Sequence, residues 1–285
     1  MSTAMEPIRT VGHYPAVTAV MVTSNRLALR EKALKCFDSQ TYQPRHIVVL
    51  DTSDPIGHDG TSTGPSICRA GNALMAYRTP GDLTIGELRN MANGIMTRDT
   101  EIIVHFDDDD YSHPNRIAEQ VALLQSSGAD AVGYNEMLFW RGESDLGCQI
   151  AGTGEAWLYS NPRPDYALGT SLCYWRKAWE RRPFAALPLP GGRAGEDQDW
   201  LDGIASGRGP GVKLWSVSTI AALVGEGGGA QLWAPNGQPR MIARIHGGNT
   251  STAYDPALMR ASEMQGSGWR RVPEWDSYCR EVMEC

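Results

Sequence analysis

Ile102-Ile103-Val104-His105-Phe106, followed directly by Asp107-Asp108-Asp109-Asp110, is the stretch on which the fold turns. The first five residues are mostly apolar, with β-branched side chains at three positions, and they predict a buried strand. Four adjacent carboxylates at the end of such a strand repel one another and raise one another's pKa unless a cation sits among them. Hard oxygen ligands of this kind suit Mg²⁺ or Mn²⁺. In open α/β sheets the ligand crevice lies beyond the carboxyl ends of the strands, which is where this run falls. The competing reading is a solvated acidic turn, and the position directly after a buried strand weighs against it. An EF-hand loop is excluded, because Tyr111 and Ser112 stand where that loop needs its glycine.

Upstream, Val17 to Thr23 is a short apolar run that predicts a buried strand. Leu27 to Ser39 predicts a helix with Leu27, Leu34 and Phe37 near one face, and Ile47 to Leu50 a second strand that ends at Asp51. Strand, helix and strand in this order form a βαβ unit with a right-handed crossover. Asp51 at the strand end can accept hydrogen bonds from a base N–H or from ribose hydroxyls; as an Asp it can equally open a turn. No G-x-G-x-x-G follows the first strand, where Thr23-Ser24-Asn25-Arg26 stands, so a dinucleotide-binding Rossmann fold and a P-loop are disfavoured. Residues 54–66 are loop by composition, with the long stretch from Pro55 to Cys68 able to reshape a neighbouring pocket, and Ala73 to Tyr77 is a further strand. Thr84-Ile85-Gly86-Glu87 fits a capping box opening a helix with Leu88, Met91, Ala92 and Ile95 on one face. Downstream, Pro114 fits a helix start, and Ile117, Val121 and Leu124 supply that helix's stripe.

From Ala131 the texture changes. Strand-like pieces (Ala131 to Tyr134, Met137 to Trp140, Trp157 to Tyr159) alternate with Gly- and Pro-rich turns, and all nine tryptophans lie at or beyond Trp140. The expected architecture is α/β: a Rossmann-like, mostly parallel central sheet flanked by helices, with an irregular mixed half after it. The division expected is 1–136 for nucleotide-sugar binding, 137–251 for the acceptor and catalysis, and 252–285 as a C-terminal extension. Indole faces stack on the C–H faces of sugars, which makes Trp200 an acceptor candidate, although most tryptophans pack cores.

Composition narrows the function classes. At 285 residues the chain suits one large α/β domain or two joined halves. Its net charge of −7 and lack of a basic run exclude wrapping a nucleic acid, while a cation bridging carboxylates to phosphates keeps a nucleotide ligand open. No apolar run approaches the roughly 18 residues of a membrane span, so no integral membrane segment is expected. Met1 to Pro15 lacks the features of a signal peptide, so a soluble cytoplasmic protein is the expectation. The cysteines are scattered without a C-x-x-C pair; they read as reduced thiols and give no support to a zinc site.

Five stretches together resemble glycosyltransferase family 2, whose fold is GT-A. Val20 to Arg26 resembles the family's first strand and turn, and Gln40-Thr41-Tyr42 before Val48-Val49-Leu50-Asp51 its lead into the second strand. His105 to Pro114 resembles its D-x-D strand and following helix, and Gly195-Glu196-Asp197-Gln198-Asp199-Trp200-Leu201 its late E-D motif. Arg244 to Ser251 is similar to a closing segment of many members. The resemblance implies a nucleotide-sugar site made of Thr23, Asn25, Asp51, Arg89, Asn90, Asp107 and Asp108, with Asp51 on the base and Arg89 and Asn90 beside the ribose or diphosphate. It implies Asp107 and Asp109 as the D-x-D pair on Mn²⁺ or Mg²⁺, Asp109 foremost, with His246 reaching the metal or diphosphate. It implies Asp197 as catalytic base, with Glu196 and Trp200 on the acceptor side. The competing readings are that Arg89 pairs with Glu87 or the acidic run, that Glu196 and Asp199 serve a helix N-terminus, and that His246 is a turn residue. Members often carry an aromatic where Ser24 stands.

The implied reaction is transfer of a sugar from a UDP, GDP or dTDP sugar to an acceptor hydroxyl (saccharide, lipid-linked or small natural product), with inversion. One rival is a sugar nucleotidyltransferase, for which Thr23 to Arg26 is a poor substitute for the expected Gly-rich basic loop. Another is a non-catalytic sugar-binding module, which leaves the presence of Glu196-Asp197 without purpose.

Overall fold

A computed structural model describes residues 13–53, 66–70, 73–77, 83–142, 154–161, 163, 165–187, 195–203, 212–218, 238–245 and 268–284. In chain order the elements are β1 (Val17–Thr23), α1 (Leu27–Asp38), β2 (Arg45–Asp51), β3 (Ser66–Ala70), β4 (Ala73–Tyr77), α2 (Ile85–Gly94), β5 (Ile102–His105) and β6 (Tyr111–Ser112). There follow α3 (Arg116–Ser127), β7 (Ala131–Arg141), β8 (Glu155–Ser160), β9 (Cys173–Trp175), α4 (Arg176–Arg181), α5 (Glu196–Leu201), β10 (Leu214–Ser218), β11 (Met241–Arg244), β12 (Trp269–Arg271) and α6 (Asp276–Glu284). A 3-10 turn at Gly169–Ser171 precedes β9.

The expected α/β architecture is present. Strands β5, β1, β2 and β4 lie side by side and parallel, with β3 antiparallel at the edge. Thr23 is in register with Asp51, and Val20 with His105, so the carboxyl ends of three parallel strands share one edge of the sheet. Beyond β5 the sheet becomes mixed. β9 pairs antiparallel with both β5 and β7, and β7 also receives β8, β10 and β11. The two strand pieces expected around residue 134 are one 11-residue strand, which runs through positions 136 and 137 without a break. The end of the expected 55–68 loop is strand: Ser66, Ile67 and Cys68 pair with Tyr77, Ala76 and Met75. Residues 54–65 lie outside the described residues.

The helices explain the rest. α1 buries Leu29, Ala33 and Phe37, spaced four apart, with Leu34 at the edge of the stripe; Leu27, expected on that face, is 58% exposed. α2 opens on the expected capping box. Thr84 N–H reaches Glu87 Oε2 at 2.8 Å, and Glu87 N–H reaches Thr84 Oγ1 at 3.3 Å. α2's fully enclosed residues include Arg89 and Asn93, while the expected Leu88, Met91 and Ile95 are only partly buried. α3 starts at Arg116, later than Pro114, because Arg116 N–H closes a turn on the His113 carbonyl at 2.9 Å. Gln40 Oε1 then accepts Ile117 N–H at 3.1 Å, so a residue of the α1–β2 link satisfies a free donor of α3. One core lies between the sheet and α1 and α3, around Phe37, Phe106 and Val121; another lies under α2, α4 and α5, around Tyr174, Phe184 and Trp200. α6 covers β7, β8 and β11 through Cys279 and Met283, so the expected C-terminal extension ends in a core element.

Candidate functional site

The acidic run forms a turn between β5 and β6 at the edge where β1 and β2 end. Its four carboxylates are held by side chains and backbone from several elements. Asp108 is 3% exposed; Thr23 Oγ1 donates to its Oδ2 at 2.6 Å and Arg26 Nη1 to its Oδ1 at 3.2 Å. Asp109 accepts the same Arg26 Nη1 at 3.0 Å. Asp110 accepts the Thr170 hydroxyl and, at 3.4 Å, Arg244 N–H. Asp107 is the most open of those in ion pairs, with its side chain 30% exposed. Burial and the neighbouring carboxylates push Asp107 up, Asp108 to about 6, and Asp110 well above the usual carboxylate range.

The E-D motif meets this turn through one cation. Arg89 Nη1 lies 2.8 Å from Glu196 Oε1, and its Nη2 lies 3.8 Å from Asp107 Oδ2. Burial raises Glu196, and the guanidinium opposes that rise. Asp197, the next residue, is partly exposed; its carboxylate rests against Gly169, where an added Cβ would lie 2.0 Å from Asp197 Oδ2. Behind Gly169, buried His105 contacts the Gly169 carbonyl through Nδ1 at 2.7 Å. Burial, with Arg89 and Arg116 nearby, holds that imidazole well below its usual pKa and hence neutral. Arg116, fully buried, donates from Nη2 to the carbonyls of His105 (2.9 Å) and Thr170 (3.1 Å), and from Nη1 to Ser112 Oγ (2.8 Å). That one side chain fastens both ends of the acidic turn to the 3-10 turn.

Several expected site residues have partners within the fold. Asp51 is 4% exposed, pairs with Arg30 and accepts Ser53 N–H at 2.8 Å, as an Asp that opens a turn does. Asn90 is held by Phe184 on both sides of its amide, donating to the carbonyl at 2.8 Å and accepting N–H at 3.0 Å, and it also accepts Trp179 Nε1 at 2.8 Å. It fastens α2 to the segment after α4. Trp200 is fully buried between Tyr174 and Phe184, with Nε1 on the Arg182 carbonyl at 2.5 Å, so neither indole face is open to a sugar. Thr23 and Asp108 are paired with each other. Asn25 takes a left-handed conformation (φ 54°) and donates its N–H to Ser53 Oγ at 2.6 Å, shaping the turn after β1. Arg89 pairs with the acidic run, as one of its readings had it, and with Glu196; Glu87 is committed to the capping box. His246 lies outside the described residues.

Arg26, Arg30, Gly169, Thr170 and Arg116 were not singled out from sequence. Arg26 and Arg30 carried a usable signal: two cations at the N-terminal end of a helix oppose its dipole, and carboxylates elsewhere are the natural compensation. Thr170 and Gly169 belong to no motif, and only the fold brings them between the acidic turn and α5. Among the described residues no three His, Cys, Asp or Glu side chains converge to hold a metal ion. Asp107, the more open carboxylate, and Asp109 could supply two oxygens to a Mg²⁺ or Mn²⁺ only if water and phosphate supplied the rest, as such cations allow.

The fold and site define an α/β protein with an acidic turn at the carboxyl edge of its parallel strands. No family model and no curated protein sequence matches the chain. Among solved structures, S. aureus TarS 1-349 in complex with UDP-GlcNAc superposes with a TM-score of 0.51 at 15% identity, covering 94% of this chain and 70% of that one. Another structure of S. aureus TarS 1-349 gives 0.50 at 13% identity, covering 94% and 69%. A longer S. aureus TarS chain matches at 0.49 and 14% identity over 80% of this chain; the match spans about a third (36%) of that chain's length. At identities of this order what the chains share is the fold. Among the described residues no helix is long and apolar enough to cross a membrane.

Proposed function

We propose that the chain transfers a glycosyl group from a nucleoside-diphosphate sugar to an acceptor hydroxyl with inversion, Asp197 serving as base. The observation that supports this reading is the Arg89 bridge. Arg89 joins Glu196 of the E-D motif to Asp107 of the acidic run at 2.8 and 3.8 Å, placing two motifs far apart in sequence around one crevice. A base must reach the acceptor hydroxyl, across the anomeric carbon from the departing diphosphate, so the E-D motif and the acidic run have to face one reacting centre, and neither rival reading needs this juxtaposition.

In the proposed step an acceptor oxygen bonds to the anomeric carbon as the bond to the diphosphate oxygen breaks. The electron pair leaves with the diphosphate, and the acceptor proton passes to Asp197. Such base assistance is typically worth ~10²–10⁴ in rate. Asp107 and Asp109 are the proposed ligands of Mn²⁺ or Mg²⁺, with His246, two residues past Arg244, as a further contact. When bound, that cation neutralises charge building on the departing diphosphate. Glu196 acts here through Arg89, holding the charge balance of the crevice. Residues 1–136 are the proposed donor half, 137–251 the acceptor half and 252–285 its C-terminal support. The acceptor is a saccharide, a lipid-linked sugar or a small natural product. UDP is the first nucleotide to try, since TarS, solved with UDP-GlcNAc, has the same fold.

The test is calorimetric titration with UDP, GDP and dTDP, each with Mn²⁺ and with EDTA, on wild type and Asp109→Ala. Metal-dependent binding of one nucleotide, lost in the variant, is expected; absence of such binding for all three would sink the reading. Asp197→Asn should then keep nucleotide affinity while losing turnover.

A further inference from the structure

His105 ends β5 two residues before Asp107, and the transfer step proposed above makes no use of it. A carbonyl oxygen only accepts, so the 2.7 Å contact with the Gly169 carbonyl places a proton on His105 Nδ1. Nε2 lies 3.2 Å from the Tyr174 hydroxyl, and Asn93 Nδ2, reaching from α2, donates to the same oxygen at 3.1 Å. The Tyr174 proton therefore points to Nε2, and the bonds run one way: Asn93 to Tyr174, Tyr174 to His105, His105 to Gly169. All three side chains are buried.

The far end of this chain is where the chemistry lies. Asp197 rests on Gly169, since a Cβ there would lie 2.0 Å from Oδ2 and 2.7 Å from Cγ. Thr170 donates to Asp110, and its carbonyl receives Arg116. Ser171 accepts Tyr134 N–H at 2.8 Å and donates to the Leu168 carbonyl at 2.6 Å. One 3-10 turn thus stands between the acidic run and Asp197. Side chains fasten its second and third residues; its first is fastened by His105.

We infer that His105 is a positioning residue: by holding the Gly169 carbonyl it sets the surface against which Asp197 lies, and with it the placement of that carboxylate relative to the acidic run. The inference rests on Asp197 being the base of the proposed transfer.

The experiment uses the full chain with UDP-GlcNAc and Mn²⁺, then GDP- and dTDP-sugars, following nucleotide release with water as acceptor. His105→Phe fills the space without a hydrogen bond. His105→Asn keeps a donor near the Nδ1 position, and His105→Gln keeps one only near Nε2. Gly169→Ala drives the turn against Asp197 with His105 intact. Because displacements of about 1 Å can cost up to about 10² in rate, His105→Phe, His105→Gln and Gly169→Ala should lower kcat about ten- to hundredfold. KM for the donor and Kd for UDP should stay within about twofold, and His105→Asn should recover most of the rate. Unchanged kcat in His105→Phe, or no advantage of Asn over Gln, would overturn the inference; so would equal losses in kcat and nucleotide affinity. If the wild type turns over no nucleotide sugar, the proposed function fails separately. The holding of the turn is then read by hydrogen exchange at the Leu172 amide, which donates to Gly169 O. Protection should drop in His105→Phe and persist in His105→Asn, and equal protection in both would overturn the inference.

Discussion

Arg89 on α2 and Glu196 on α5 form an ion pair of 2.8 Å, and their side chains are only 10% and 8% exposed. The same guanidinium faces Asp107 at 3.8 Å, so one cation balances carboxylates from two distant motifs. Removing one partner of a buried pair leaves an uncompensated charge, which typically destabilises by about 3–5 kcal/mol. Arg89→Met should therefore lower stability by about 3 kcal/mol in urea unfolding at neutral pH. Adding Glu196→Gln should recover part of that loss. A loss under about 1 kcal/mol in Arg89→Met would mean that the pair is effectively solvated.

The acidic turn should make stability depend on pH in a definite direction. Asp108 is raised from the ordinary 3.8 to about 6, by burial first and Asp109 second. Between these values the folded protein holds a proton that the unfolded chain releases, so this contribution to stability falls as pH rises through the window and is fully lost above it. Asp107 and Asp110 act in the same sense. For metal-free protein, the difference in Tm between wild type and Asp108→Asn should move against the wild type from pH 4 to pH 7. Mn²⁺ should raise the wild-type Tm more at pH 7 than at pH 5, because protons compete for the same oxygens.

Two glycines of α2 should respond oppositely to alanine. In a helix, Gly→Ala normally gains up to about 1 kcal/mol from propensity. At Gly86 the new Cβ would lie 2.2 Å from the Ala185 carbonyl oxygen, and a backbone atom yields little, so a net loss of about 1–3 kcal/mol is expected. Gly94 has nothing within 4 Å and ends the helix, so Gly94→Ala should gain about 0.5 kcal/mol. Thermal unfolding of the two variants side by side checks the sign.

α6 should behave as part of the core. Met283 is 3% exposed, Glu284 Oε1 accepts Trp140 Nε1 at 3.1 Å, and Lys32 reaches the Glu284 carbonyl at 3.2 Å. Met283→Ala should cost about 2–4 kcal/mol in denaturant unfolding. A value near zero would show a helix that detaches without disturbing β7.

Much of the scaffold was legible in the sequence. The runs at Val17–Thr23, 47–50 and 102–105 could only be buried strands, and the Thr84 capping box announced α2, because strand burial and helix capping are written in neighbouring residues. The placement of the acidic run at the carboxyl edge of a parallel block followed from its position after β5. What a single side chain does there was decided only by tertiary structure. Trp200, an accessible indole on paper, is core because Tyr174 and Phe184 close over it. Asp51 pairs with Arg30 and Asn90 with the Phe184 backbone, partners 21 and 94 residues away. Arg89 serves the charge of Glu196, and Gly169 and Thr170 enter the site without belonging to any motif. Periodicity reports which residues are buried because it depends on near neighbours; which polar group satisfies which depends on packing across the sheet, and spacing along the chain does not record it.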